Sequence, residues 1–188
     1  ARTVEELVAA MKAKPDGFSY GSSGVGNTAH IFGELFKART GTRMVHVPYK
    51  SGGEALKELL GGRIQLAFSS LIDVGPQIEQ GAVRALALAG SHRVGSMPSV
   101  PTLAEVGISG FETPTWFGII APAGTPKEIV QYVNREMRAA FDTPDGRAKL
   151  AQLGLDYADY TPEQFAAFLA GEHRKWERII RDSGATVE

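Results

Sequence analysis

Between residues 18 and 88, short β-prone runs alternate with stretches of helical periodicity, and this alternation restricts the chain to parallel βαβ units. The strand-like runs are 18–22, 44–47, 64–68 and 83–88. After the first run, a helix from about Thr28 carries Ile31, Phe32, Leu35 and Phe36 on one face and stops at Gly41. After the second, Ser51 and Glu54 form a capping box ahead of Ala55, Leu56, Leu59 and Leu60, and Gly61-Gly62 closes the helix. After the third, Asp73 reads as the cap of a helix of one or two turns ending near Gly81. An earlier helix starts at a Thr3/Glu6 capping box, repeats Leu7, Val8 and Met11, and stops at Pro15-Asp16-Gly17.

The second part of the chain has a different character. Residues 90–115 are punctuated by Pro98, Pro101 and Pro114 and read as a connection between lobes, with a short helix over 103–106. A strand is expected at 116–121. Thr125-Pro126-Lys127-Glu128 and Thr161-Pro162-Glu163-Gln164 are both helix starts, combining a capping box with proline at the first helical position. The first helix buries Ile129, Val130, Val133, Met137 and Phe141; the second buries Phe165, Phe168, Leu169, Trp176, Ile179 and Ile180. Only 116–121 and 155–157 offer sheet to cover these faces, so the tail reads as a lobe lacking part of its own sheet.

Composition narrows the function. The 188 residues carry a net charge of −1, against the basic excess of a nucleic-acid surface or a polybasic membrane contact. Cysteine is absent, which excludes a disulfide framework, a thiol nucleophile and cysteine-ligated metal within these residues. No apolar stretch is long enough to span a bilayer, and the first residues lack the apolar core of a signal peptide.

The strand-to-helix loop Gly21-Ser22-Ser23-Gly24-Val25-Gly26-Asn27-Thr28 is the first candidate site. Its glycines let the backbone turn tightly, and the helix start offers free N–H groups at the positive end of the dipole. Ser22, Ser23, Asn27 and Thr28 can add side-chain hydrogen bonds. The ligand is an anion, phosphate or carboxylate; a plain tight turn with a helix cap is the other reading. A nucleotide P-loop would need lysine where Asn27 stands, and no acidic residue follows the next strand as a dinucleotide fold requires. The second candidate is Pro48 to Gly53, where Tyr49 can line a pocket and Lys50 can supply charge. The third is Ser69 to Asp73, with Ser70 and Asp73. His30, His46, His92 and His173 show no metal-ligand spacing. His30 reads as a hydrogen-bonded structural residue and Glu34 as solvated. No Gly-x-Ser-x-Gly elbow is present.

The ordered set of motifs resembles the receptors of tripartite tricarboxylate transporters, the Bug family of periplasmic proteins. It comprises Tyr20-Gly21-Ser22-Ser23-Gly24-Val25-Gly26-Asn27-Thr28-Ala29-His30, Val47-Pro48-Tyr49-Lys50-Ser51-Gly52-Gly53-Glu54-Ala55, and Gly81-Ala82-Val83-Arg84-Ala85-Leu86-Ala87. Pro98 to Glu105 and Trp116 to Pro126 complete it. The resemblance implies a two-lobed periplasmic-binding-protein fold with mostly parallel sheets that closes on a small carboxylate. It places ligand contacts at Ser22, Ser23, Gly24, Val25, Gly26, Asn27 and Thr28, with selectivity from Tyr49, Ser70 and Asp73. It further implies no cofactor and no catalysis, membrane transporter subunits as partners, and a periplasmic location. The family's opening strand and Pro-Gly-Gly loop have no counterpart before Ala1. The expectation is therefore one complete lobe over 18–113, with 1–17 and 114–188 supplying the hinge crossings and the carboxyl-terminal part of a partial lobe. Its uncovered apolar faces are expected to favour a homodimer. The competing functional classes are an enzyme positioning an anionic substrate at the glycine loop, with Asp73, Lys50 or His30 as base, and a ligand-sensing domain of a regulatory protein.

Overall fold

Strand β1 (Ser19–Ser22) lies between β2 (Val45–Pro48) and β3 (Leu66–Ala67) in a parallel sheet of order β2-β1-β3. The computed structural model describes residues 1–113, 116–153, 155 and 157–186. Helix α1 (Val4–Ala13) precedes the sheet; α2 (Thr28–Thr40) joins β1 to β2, α3 (Gly52–Leu60) joins β2 to β3, and α4 (Leu71–Glu79) follows β3. Helices α5 (Lys127–Phe141), α6 (Pro144–Gln152) and α7 (Pro162–Ser183) make up the rest. The βαβ reading of the first part is therefore correct. All three strands being parallel, their carboxyl ends and the loops that leave them share one edge.

Local chemistry explains most of these boundaries. Thr3 accepts from the Glu6 amide, Ser51 from the Glu54 amide, and Asn27 from the His30 amide. Thr161 and Gln164 form a reciprocal capping box at 2.9 and 3.2 Å. Gly41, at φ 62°, ends α2 in the left-handed conformation that glycine adopts without strain. Ser70, not Asp73, caps α4: its hydroxyl accepts from the Ile72 amide at 3.1 Å, and Asp73 sits within the first turn. The Thr125 box does not form: its hydroxyl donates to Pro122 O, and α5 starts after Pro126 without a side-chain cap.

Several expected elements are absent or shorter. Residues 83–88 make only an isolated parallel bridge, Leu88 to Thr102, since no ladder partner runs beside them among the described residues. Residues 103–106 form a single capped turn that Gly107, at φ 82°, closes at once. Residues 116–121 are irregular, with no strand beside them among the described residues. Of the strand expected at 155–157, Asp156 lies outside the described residues, as does Pro114 of the interlobe segment. Helix α6 was not foreseen, because it has no apolar stripe. Its start signal was present: the Thr143 hydroxyl accepts from the Gly146 amide, with Pro144 at the first helical position.

The chain divides into two compact units, 1–114 with 177–188, and 115–176. Helix α1 and the end of α7 group with the sheet, and their Val4, Met11 and Ile179 are buried. In the first unit, α2 buries Ile31, Phe32, Leu35 and Phe36 as its periodicity requires, each contributing about 1.5–3 kcal/mol. Phe32 meets Phe111 edge-on at 5.3 Å, and Tyr20 is completely buried. Arg39 pairs with Asp182 at 3.2 Å. In the second unit, Trp116 packs edge-on against Phe165 and Phe168 and donates its indole N–H to buried Glu172. Helix α5 buries none of its residues: Ile129, Tyr132 and Val133 are exposed, as are Phe117, Ile119 and Ile120.

Candidate functional site

The glycine loop leaves the carboxyl end of the central strand. Gly24 (φ 129°) and Gly26 (φ 80°) take conformations that L side chains rarely adopt, and between them Val25 stands 48% exposed at the tip. The amides of Val25, Asn27, Thr28 and Ala29 meet no acceptor among the described residues. They are the free donors that a helix start offers to an anion. Ser23 and Thr28 are exposed; Ser23 Oγ accepts from Asn27 Nδ2 at 2.5 Å, while Asn27 Oδ1 accepts from the His30 amide at 2.9 Å.

Ser22 differs from its neighbours. It is 2% exposed, and its hydroxyl donates to Gly24 O at 2.9 Å, accepts from the Gly24 amide at 3.2 Å, and lies 2.6 Å from His46 Nε2. It braces the loop from within. Tyr49 is half-buried on the β2 loop; its amide donates to Ser22 O, and its ring passes beside Gly21. A Cβ at position 21 would come within 2.6 Å of the Ile64 side-chain end, 3.1 Å of Ala55 Cβ and 3.3 Å of that ring, so a larger residue there requires Ile64 to shift. Ser70 is half-buried and engaged as the α4 cap, and Asp73 is exposed. The loops carrying Tyr49 and Ser70 leave β2 and β3, on either side of the glycine loop.

Beneath the loop lies a cluster that sequence reading missed. His46 is sandwiched between Tyr20, with centroids 4.9 Å apart, and His30, with centroids 4.1 Å apart. His30 is buried and accepts the Gly26 amide on Nδ1 at 3.1 Å, so it is structural and hydrogen-bonded as expected. The Tyr20 hydroxyl donates to Glu34 Oε1 at 2.8 Å and reaches His30 O at 3.2 Å; Lys37 pairs with Glu34 at 2.6 Å. Glu34 is therefore not solvated, because it answers a buried phenol. Burial raises its pKa, but hydrogen bonds from Lys37 and Tyr20 outweigh this and hold it below the ordinary range. Burial, with help from the Glu34 charge, pushes the Tyr20 phenol far upward. Burial first, and then His30, push His46 down to about 4. Two unit charges at the 4.1 Å ring separation would repel by about 4 kcal/mol at an effective dielectric constant of about 20, which is why a charge on His30 opposes protonation of His46. The one readable signal was a histidine between Val45 and Val47 on a strand; its place opposite Tyr20 comes from the register of β2 on β1.

Ser22 Oγ and His46 Nε2 lie within hydrogen-bond reach, as a nucleophile and its base would, but Ser22 is 2% exposed and its hydroxyl is engaged with Gly24. His30 is committed to Gly26 through Nδ1, and Lys50 and Asp73 are exposed on separate loops. Among the described residues, no three His, Asp or Glu side chains converge on a metal position, and no helix is long and apolar enough to cross a membrane. The surface depression lined by Ile78, Val83, Arg84 and Val100 contains none of the expected site residues.

Comparison with known proteins gives this geometry its context. Residues 1–185 match the model of the tripartite tricarboxylate transporter family receptor. The chain is 34% identical, over 95% of its length and 54% of the relative's, to the UPF0065 protein in the tcbD-tcbE intergenic region of Pseudomonas sp. strain P51. It is 33% identical to protein BugT of Bordetella pertussis, over 99% of its own length and 57% of that protein's. Among solved structures, it matches an R. palustris protein with adipate (TM-score 0.94, 33% identity, 99% of this chain and 62% of that one). It also matches the periplasmic binding protein BugD (TM-score 0.88, 28% identity, 98% and 62%). MatC from Rhodopseudomonas palustris with bound malate follows (TM-score 0.84, 28% identity, 95% and 62%). The chain thus spans about half the length of these curated relatives, and it shares the α/β periplasmic-binding-protein fold. A glycine loop on the central parallel strand, flanked by two further loops at the same sheet edge, is thus found in a chain that belongs to the tripartite tricarboxylate transporter receptor family.

Proposed function

We propose that the chain works as a periplasmic solute receptor that captures a small carboxylate for a tripartite tricarboxylate-type transporter, without chemistry of its own. The observation that carries this reading is the set of free amides at Val25, Asn27, Thr28 and Ala29, offered by a loop on the central strand. Family membership and structural relatives solved with adipate and malate support it. In this reading Ser23, Gly24, Val25, Gly26, Asn27 and Thr28 surround the carboxylate. Ser22 acts by bracing the loop, and Tyr49, Ser70 and Asp73 select what lies beyond.

Residues 18–113 serve as the ligand-binding lobe, and 1–17 and 114–188 provide the crossings and part of a second lobe. The partners are the membrane subunits of the transporter. The exposed Phe117, Ile119 and Ile120 would favour pairing of two such chains. Thermal-shift and calorimetric titration with adipate, malate, citrate and phosphate test the reading. A ligand that binds the folded state raises the melting temperature by mass action, so a rise with one carboxylate class and none with phosphate is expected. A rise with phosphate or nucleotides alone would overturn it.

A further inference from the structure

His30 holds the glycine loop at two adjacent points. Its backbone amide donates to the Asn27 side chain at 2.9 Å, and its ring Nδ1 accepts the Gly26 amide at 3.1 Å. Because Gly26 N–H can only donate, Nδ1 must be unprotonated while this bond exists. The ring is buried and stacked on His46, whose Nε2 lies 2.6 Å from Ser22 Oγ, the group bracing the other side of the same loop. The two imidazoles thus support both ends of the turn, 22–24 and 26–27. The bond also consumes the Gly26 amide, so the donors left to a bound anion are those of Val25 and the first turn of α2.

We propose that His30 is the positioning residue of the glycine loop: clamped against His46, its Nδ1 fixes Gly26, and protonation at that nitrogen frees the turn and weakens carboxylate binding. The titratable groups facing the pair are Tyr20 from β1 and Glu34 and Lys37 from α2. Glu34 favours a charged His30 and Lys37 opposes it. A charge on His46 also opposes it across the stack. The ligand arm of this inference rests on the carboxylate-receptor reading; the loop arm does not.

The test combines histidine 15N NMR, hydrogen exchange at the Gly26 amide and calorimetry with adipate and malate. The wild-type chain, titrated from about pH 7.5 to about pH 5, should show Nδ1 of His30 as an acceptor at the upper end. Gly26 exchange should then accelerate about tenfold beyond its intrinsic pH dependence as that nitrogen protonates, the loss of one hydrogen bond. His30→Asn keeps an acceptor that does not titrate, so it should bind adipate or malate with a pH profile that reflects only the ligand's own titration. The wild type should lose about tenfold more affinity than this variant over the same range. His30→Leu should leave Gly26 unprotected at every pH, and should this variant not fold, the wild-type titration decides without it. Unchanged Gly26 exchange while His30 titrates, or superimposable affinity profiles for wild type and His30→Asn, would overturn the proposal. If the wild type binds neither dicarboxylate at about pH 7.5, the receptor reading fails for these ligands, and Gly26 exchange still decides the positioning role.

Discussion

Gly33 of α2 faces Tyr20 of β1 so closely that a Cβ on the glycine would lie 2.1 Å from the tyrosine ring. The ring cannot yield, because it is completely buried, stacked on His46 and hydrogen-bonded to Glu34. Gly33→Ala should therefore destabilise the first unit by about 1–3 kcal/mol through overpacking, despite alanine's better helix propensity. Urea unfolding followed by circular dichroism measures this.

Gly75 gives the opposite result from the same substitution. It lies within α4, and a Cβ there meets nothing within 4 Å. Gly75→Ala should stabilise by about 0.5–1 kcal/mol, from the reduced freedom of the unfolded chain. The paired midpoints of the two alanine variants separate packing from propensity.

Tyr20→Phe keeps the ring and removes the hydroxyl that serves Glu34 and His30 O. A cost of about 1–2 kcal/mol is expected, since part-buried acceptors lose their donor. The Glu34 carboxyl, held low partly by this phenol, should titrate at higher pH. Carboxyl 13C NMR against pH reads the shift.

Stability should fall on acidification through His46. Its pKa in the folded chain is about 4 against an ordinary 6.5, so the unfolded chain binds the extra proton between these values. The contribution is complete above about pH 6.5 and is lost progressively as pH falls toward 4. Chemical denaturation at several pH values should show a shallower acid slope for His46→Gln than for wild type.

Thr143 caps α6 through the Gly146 amide at 3.0 Å. Thr143→Ala should cost about 1 kcal/mol and fray that helix, and hydrogen exchange over 144–147 should accelerate.

The sequence made the βαβ order and the helix faces of the first unit readable, because Gly41, Ser51 and the apolar spacing of Ile31 to Phe36 act locally. The glycine loop was readable for the same reason: Gly24 and Gly26 report their own backbone requirements. The expected strands at 83–88 and 116–121 failed because a strand depends on a neighbour that no local signal supplies. The His30–His46 stack was hidden because it joins residues on separate elements through the register of β2 on β1. Helix α6 was hidden for another reason, as a polar helix announced only by its cap.

The strand order has a consequence for how such a chain can change its preference. The loop with the free amides rises from the middle strand, where residues on both sides constrain it and Ile64, Ala55 and Tyr49 crowd Gly21. The loops of Tyr49 and Ser70 rise from the flanking strands, and their side chains are only half-buried. On the same proposed reading, substitutions there would retune selectivity while the backbone donors of the glycine loop stay intact. On the receptor reading proposed above, the architecture would separate the part of recognition common to every carboxylate from the part that distinguishes one from another, and new specificities would be reachable without rebuilding the sheet.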